Sequence, residues 1–302
     1  DLPKGYQVSQ YELPLCEDGW VEIVSGNGRK RIGVERVHLE EDTGKLQHAG
    51  HGSLVDYNRA GVPLMEIVTD ASLRSADEAF DYLNKIRQIV RYLGASSGDM
   101  EKGAMRCEAN ISIRPEGSEE FGTKVEVKNL NSFRAVRNAI AYEVQRQQHV
   151  IEEGGHVRQV TMGWDEQMGV TREQRSKETS EDYRYFPEPD LLDVHLKDEW
   201  IRRVSGQLPE LPADKAARFS EAYGLNEKDI AVLIEDSAVA DYFEEAAQLA
   251  GADPKRIGNW VTGEVFRRLN EEDISIAEAK VSPAAMVELL SLVKDGAINQ
   301  NA

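Results

Sequence analysis

The sequence predicts an α+β protein, an antiparallel-sheet domain with flanking helices followed by an all-α helical bundle. Two alternating runs carry the first half of that expectation. Met105, Cys107, Ala109, Ile111 and Ile113 face one way, and Arg106, Glu108, Asn110, Ser112 and Arg114 the other. After the turn Pro115-Glu116-Gly117-Ser118, Phe121, Thr123, Val125 and Val127 alternate with Lys124, Glu126 and Lys128. Period two with one apolar and one polar face belongs to an antiparallel sheet packed on one side. The second half rests on Leu208-Pro209-Glu210-Leu211-Pro212, because two prolines in five residues break any regular element. Everything beyond that point has helical periodicity, so domains are expected at 1–207 and 208–302.

In chain order, residues 20–24 and 30–39 are apolar-rich strands joined by Ser25-Gly26-Asn27-Gly28-Arg29. Asn27-Gly28 tolerates positive φ at both central positions of a hairpin turn. Residues 43–53 hold three glycines and two of the six histidines and read as a mobile loop. Next, Asp56-Tyr57-Asn58-Arg59 leads into Pro63-Leu64-Met65-Glu66-Ile67-Val68-Thr69, an apolar run read as a buried strand. A helix is expected over 75–93, with Ser75 and Glu78 as a capping box and Ala79, Leu83, Ile86, Val90 and Leu93 as one stripe before Gly94. A second, over 132–153, buries Val136, Ile140, Val144 and Ile151 and stops at Gly154-Gly155. In the bundle, helices are expected near 213–223, 226–235, 237–250, 254–269 and 283–294, with Gly224, Gly251 and Gly296 as stops.

Composition narrows the function. The net charge is −18, divided as −9 over residues 1–197 and −9 over 198–302, which excludes a general grip on DNA or RNA. Any nucleic-acid contact must be local, and the first part is its place. No apolar stretch approaches the ~18 residues of a membrane span, and no basic-then-apolar leader is present. Cys16 and Cys107 are the only cysteines, too few for a disulfide framework or structural zinc, so a reducing, cytoplasmic setting is expected. The start at Asp1 and the polar run at 296–302 read as those of a fragment.

Glu66 is the first candidate for chemistry. A carboxylate in an apolar strand must shift its pKa, pair with a cation or bind a metal. With the cluster Glu40-Glu41-Asp42 it could surround Mg²⁺ in hard oxygens, or it could pair with a buried Arg or Lys. His38 alternates with Arg36 and Glu40 and shares their face, as a structural histidine or a site residue. The polar sheet face is the second candidate. Arg106, Glu108, Asn110, Lys124, Glu126 and Lys128 suit phosphate and metal together, or form a solvated face of ion pairs. It runs into Asn129, Asn131 and Ser132, which open a helix whose first N–H groups attract anions. A third candidate, 171–190, interleaves Arg172, Arg175, Lys177 and Arg184 with Tyr183, Tyr185 and Phe186, as nucleotide or RNA contact requires. Glu173, Glu178, Glu181 and Asp182 offset most of that charge. The sequence has no P-loop, dinucleotide fingerprint, HExxH or GxSxG, so any nucleotide belongs on the antiparallel sheet.

Four motifs add a resemblance. They are His38-Leu39-Glu40-Glu41-Asp42-Thr43-Gly44-Lys45, the run from Val55-Asp56-Tyr57-Asn58-Arg59 through Glu66-Ile67-Val68, Val127-Lys128-Asn129-Leu130-Asn131-Ser132-Phe133, and Asp182-Tyr183-Arg184-Tyr185-Phe186-Pro187-Glu188-Pro189-Asp190. In this order they closely resemble the B-subunit family of aspartyl/glutamyl-tRNA amidotransferases. The absence of a large insertion between 190 and 208 separates the chain from the related archaeal family. The resemblance implies an ATP- and Mg²⁺-dependent cradle domain followed by a helical domain. It implies one component of a carbon–nitrogen ligase, which phosphorylates the side-chain carboxylate of Glu-tRNA(Gln) or Asp-tRNA(Asn). Ammonia from glutamine, supplied by the A subunit, then displaces phosphate, and the C subunit completes a heterotrimer. Glu41 and Glu66 match the family's metal-binding and catalytic glutamates. Glu108 stands where an Asp is commoner, as a third metal ligand, and Arg106, Lys128, Asn129 and Asn131 fall on the nucleotide side. The family's N-terminal Glu-Val-His strand and C-terminal tail domain have no counterpart here, so an incomplete metal site and little kinase activity are expected of this chain alone. The competing reading is a non-catalytic scaffold or tRNA-binding protein whose carboxylates knit the core.

Overall fold

The computed structural model describes residues 5–26, 28–49, 52–174, 185–186, 188–249 and 251–299. It divides into two compact units, residues 1–85 with 99–195, and residues 86–98 with 196–302.

The first unit begins with β1 (Gln7–Val8), then β2 (Cys16–Ser25) and β3 (Gly28–Glu41). Ser25 pairs with Gly28, so Gly28 already belongs to the strand, where the Asn-Gly signal suggests a central turn residue. The stretch expected as a mobile loop instead folds as β4 (Lys45–Ala49) against β5 (Gly52–Asp56), a hairpin pairing Lys45 with Asp56 and Ala49 with Gly52. β6 (Pro63–Thr69) then lies antiparallel on β3, giving the order β2-β3-β6. This position corrects the expectation of a buried strand. β6 is an edge with a solvated side, so Met65 and Glu66 are exposed although the run is apolar.

α1 (Ala76–Tyr92) follows; its residues to Lys85 belong to the first unit and the rest to the second. Ser75 Oγ accepts the Glu78 N–H at 3.1 Å, and the Glu78 carboxylate binds Lys30 Nζ of β3 at 2.7 Å and the Arg74 N–H at 2.6 Å. Ala79, Leu83, Ile86 and Val90 are buried as expected, while Leu93 is exposed.

β7 (Cys107–Ile111), β8 (Val125–Leu130), α2 (Phe133–Glu152), β9 (Thr161–Asp165) and β10 (Val170–Glu173) form the second layer pair. The sheet order is β10-β9-β8-β7. The β8–β9 pair is parallel, joined by the α2 crossover, so this sheet is mixed rather than purely antiparallel. A short parallel pair also joins β1 to β11 (Tyr185–Phe186). Val125 and Val127 are fully buried, whereas Phe121 and Thr123 are exposed ahead of the strand. On α2 the buried side runs through Val136, Ala139, Glu143 and Gln147, and Val144 and Ile151 are exposed. Glu143 is tolerated inside because Arg146 grips both its oxygens and Thr171 Oγ1 and Gln147 Nε2 donate to it.

The second unit is helical: α3 (Asp198–Ser205), α4 (Pro212–Tyr223), α5 (Glu227–Leu233), α6 (Ser237–Ala247), α7 (Pro254–Trp260), α8 (Phe266–Glu272) and α9 (Pro283–Lys294). Prolines occupy the first turns of α4, α7 and α9, where no N–H partner is lost. The single helix expected over 254–269 is interrupted by a π-helical turn, Val261–Val265, where Thr262 Oγ1 donates back to the Gly258 carbonyl at 2.9 Å. Phe219, Leu233, Phe243, Ile257, Val261 and Met286 make its core. Around it, Arg218 binds both oxygens of Glu210 at 2.7 Å and also Glu244. Among the described residues no helix is long and apolar enough to cross a membrane.

Candidate metal and nucleotide site

The β3–β6 register builds the first part of the site. His38 lies directly across from Glu66, and Glu40 is two residues along the same face. His38 Nε2 is 3.0 Å from Glu40 Oε1 and 3.0 Å from Glu66 Oε2. The imidazole is fully buried, Glu40 is 8% exposed and Glu66 is 47% exposed, so the cluster opens to solvent through Glu66. One ligand atom from each lies within 4.8 Å of the others, close enough to hold a metal ion. Glu41 falls on the opposite face of β3, across from Pro63, so the structure brings Glu66 to Glu40 and His38 and not to Glu41. Sequence reasoning placed His38 and Glu40 on one face; only the register shows that Glu66 joins them.

The second part is built by β7 and β8. Cys107 pairs with Leu130 and Ala109 with Val127, leaving Lys128 and Asn129 opposite Glu108 alone. This is a β-bulge, and Asn129 takes the left-handed φ of 63° that it needs. Asn129 Nδ2 donates to the Trp164 carbonyl at 2.8 Å, which pins the bulge to β9. Lys128 Nζ then sits 3.7 Å from Glu108 Oε1 and 3.8 Å from Glu126 Oε2. Asn131 is exposed between β8 and α2, and Ser132 Oγ caps α2 by accepting the Ala135 N–H at 3.0 Å. Just before β7, Arg106 Nη2 meets Asp42 Oδ2 at 2.7 Å, and Arg59 Nε meets the same oxygen at 3.0 Å. Arg106 keeps 58% of its side chain exposed.

The electrostatics join the two parts. Burial, then the charge of Glu40, raises the Glu66 carboxyl above its ordinary range, against the pull of His38 and Arg36. Glu108 is pushed up to about 7, first by burial and then by Glu126 and Glu66, while Lys128 opposes the shift. The negative charge of Glu66 is thus felt at Glu108, which lies on the other sheet of the unit. Carboxylates held in repulsion with oxygens accessible fit a divalent cation, whose charge would relieve them. Of the interleaved segment 171–190, residues 175–184 and 187 lie outside the described residues; Arg172, near its start, pairs with Asp165 at 2.9 Å.

Residues 1–202 match the sequence profile of the GatB/GatE catalytic domain, and residues 241–302 that of the GatB domain. The chain belongs to this family. The B subunit of the aspartyl/glutamyl-tRNA(Asn/Gln) amidotransferase of Thermodesulfovibrio yellowstonii is 51% identical over 302 residues, covering 100% of this chain and 63% of that protein. The protein of the same name from Roseiflexus castenholzii is 52% identical over 308 residues, covering 100% and 64%. That from Thermoanaerobacter pseudethanolicus is 48% identical over 300 residues, covering 99% and 63%. The chain thus spans a little under two thirds of the length of these relatives.

Proposed function

We propose that this chain is the carboxylate-activating part of a glutamine-dependent tRNA amidotransferase, with a kinase domain at 1–207 and a helical domain at 208–302. Its substrates are Glu-tRNA(Gln) or Asp-tRNA(Asn), and it works in a heterotrimer with the A and C subunits. The observation that carries this reading is identity of 51–52% along the whole chain to proteins named as the B subunit of aspartyl/glutamyl-tRNA(Asn/Gln) amidotransferase.

The site supports it chemically. When bound, ATP supplies the phosphoryl group that converts the substrate carboxylate to an acyl phosphate open to ammonia, and Mg²⁺ neutralises the charge of the triphosphate. Glu66 and Glu108 are the oxygen ligands for the cation, and Glu41, on the opposite face of β3, is left out of that set. Arg106 and Lys128 face phosphate, and Asn129 and Asn131 border the nucleotide. Lys128 is held between two carboxylates, which fixes the position of its ammonium.

Calorimetry of Mg²⁺-dependent ATP binding tests the reading. Glu66→Gln and Glu108→Gln in the full-length protein should each weaken binding about tenfold or more with thermal midpoints near wild type, whereas Glu41→Gln should leave binding close to wild type. Unchanged binding with a lowered midpoint in the Glu66 and Glu108 variants would make these carboxylates structural and remove the kinase assignment.

A further inference from the structure

We propose that His38 and Glu40 are positioning residues that fix the Glu66 carboxylate from behind, and that neither ligates the cation; this rests on the reading of Glu66 as a ligand. Both oxygens of Glu40 are already engaged. Its Oε2 accepts from Gln7 Nε2 at 2.5 Å, and its Oε1 accepts from Ser9 Oγ at 3.0 Å and faces His38 Nε2 at 3.0 Å. Gln7 and Ser9 are themselves buried, and the Ser9–Glu40 bridge docks their segment along β3. Gln10 reinforces it, with its N–H on the Leu39 carbonyl and its Oε1 accepting the Leu39 N–H, both at 3.0 Å.

The imidazole follows from that anchor. Both groups near His38 Nε2 are carboxylate oxygens, so Nε2 carries the proton and donates to each. Nδ1 is buried and has no hydrogen-bond partner among the described residues. The other tautomer would bury an unpaired N–H at Nδ1 and set a lone pair against two carboxylates, both costly. Tyr11 meets the ring edge-on at a centroid distance of 6.0 Å, and the ring has no exposed surface. A hydrated cation reaches Nε2 only by displacing the proton that ties Glu66 to Glu40. His38 therefore holds one oxygen of the half-exposed Glu66, in the way that hydrogen-bond partners behind a metal ligand set its orientation.

Long-range ¹H–¹⁵N imidazole spectra of the 302-residue chain decide this without any activity. His38 should be the Nε2–H tautomer with a slowly exchanging proton, and Mg²⁺ should leave Nε2 in the protonated range. An Nδ1–H tautomer, or conversion of Nε2 to a metal-bound shift, would overturn the proposal. Mn²⁺ binding to the full-length protein, followed by electron paramagnetic resonance, gives the second readout. His38→Leu should weaken binding about tenfold or more, and His38→Gln, which keeps an N–H near the Nε2 position, should recover to within about threefold. Wild-type affinity in a folded His38→Leu chain would also overturn it. If the full-length wild type takes up no Mn²⁺ while the protected Nε2–H is seen, the relay stands and the ligand reading of Glu66 fails.

Discussion

Glu108 in the sheet unit and Glu244 in the helical unit are the same side chain in opposite surroundings. Glu108 shares its neighbourhood with Glu126 and Glu66 and has one lysine beside it, so its carboxyl is pushed up to about 7. Glu244 receives the Arg218 guanidinium and the Tyr223 hydroxyl, and its carboxyl is lowered. The bundle thus uses carboxylates to close hydrogen-bonding capacity around an apolar core. The sheet unit pairs Glu78, Glu143 and Asp42 with Lys or Arg in the same way but leaves Glu66 and Glu108 short of positive charge.

The comparison breaks first if the bundle depends on its charges rather than on its core. Phe243 is fully buried, with ring centroids 5.1 Å from Phe219 and 5.4 Å from Tyr223. Phe243→Ala should cost about 3–5 kcal/mol in denaturant unfolding. Arg218→Met should cost less, about 1 kcal/mol near neutral pH, because this partly exposed guanidinium is screened by solvent. Should the arginine variant prove the more damaging, the bundle is charge-held and the contrast disappears.

Arg218→Met also has a pH signature. Glu210 and Glu244 have folded pKa values below 4.5, so their stabilisation is complete above 4.5 and is lost as pH falls through the lower values. The variant should lose that acid-limb slope in urea midpoints taken from pH 5 downward. The smallest effect is that of Glu108, whose half-exposed side chain is screened by solvent, and it has the opposite sign. Between 4.5 and about 7 the folded chain holds a proton that the unfolded chain releases, so stability falls as pH rises through that window. Glu108→Gln should flatten this slope and raise the midpoint slightly at pH 8. A steeper slope in the variant would show that Glu108 is not the group that titrates.

Much of this was legible in the residue order because it depends on neighbours three or four positions away. The α1 stripe, the Ser132 cap and the Gly224 stop at φ 61° are local events. The α2 face was right at Val136 and Ile140 and wrong at Val144 and Ile151, because Glu143 and Gln147 look like solvent residues until Thr171, 28 positions from Glu143, supplies a partner. The exposure of Glu66 depends on β6 being an edge, and the parallel β8–β9 pair on where α2 returns the chain; neither is a property of a short window. In the site, the acidic types and the shared face of His38 and Glu40 were readable. That Glu66 meets them, while Glu41 turns away, is a matter of register, and a slip of one residue would reverse it.

The bulge at Lys128 and Asn129 bears on how this sequence tolerates insertion and deletion. A strand is an alternation counted modulo two, and the bulge is a change of phase within it. Val125 and Val127 before it and Leu130 after it all face the core, while two consecutive polar residues are delivered to the other side. Losing one codon there would put Leu130 out of step and move the start of α2 with it. Losing one codon in the turn at 115–118, outside any strand, would leave the parity of β8 untouched. Length variation should therefore be accepted at that turn and refused at the bulge, although both are short polar stretches in the same sheet.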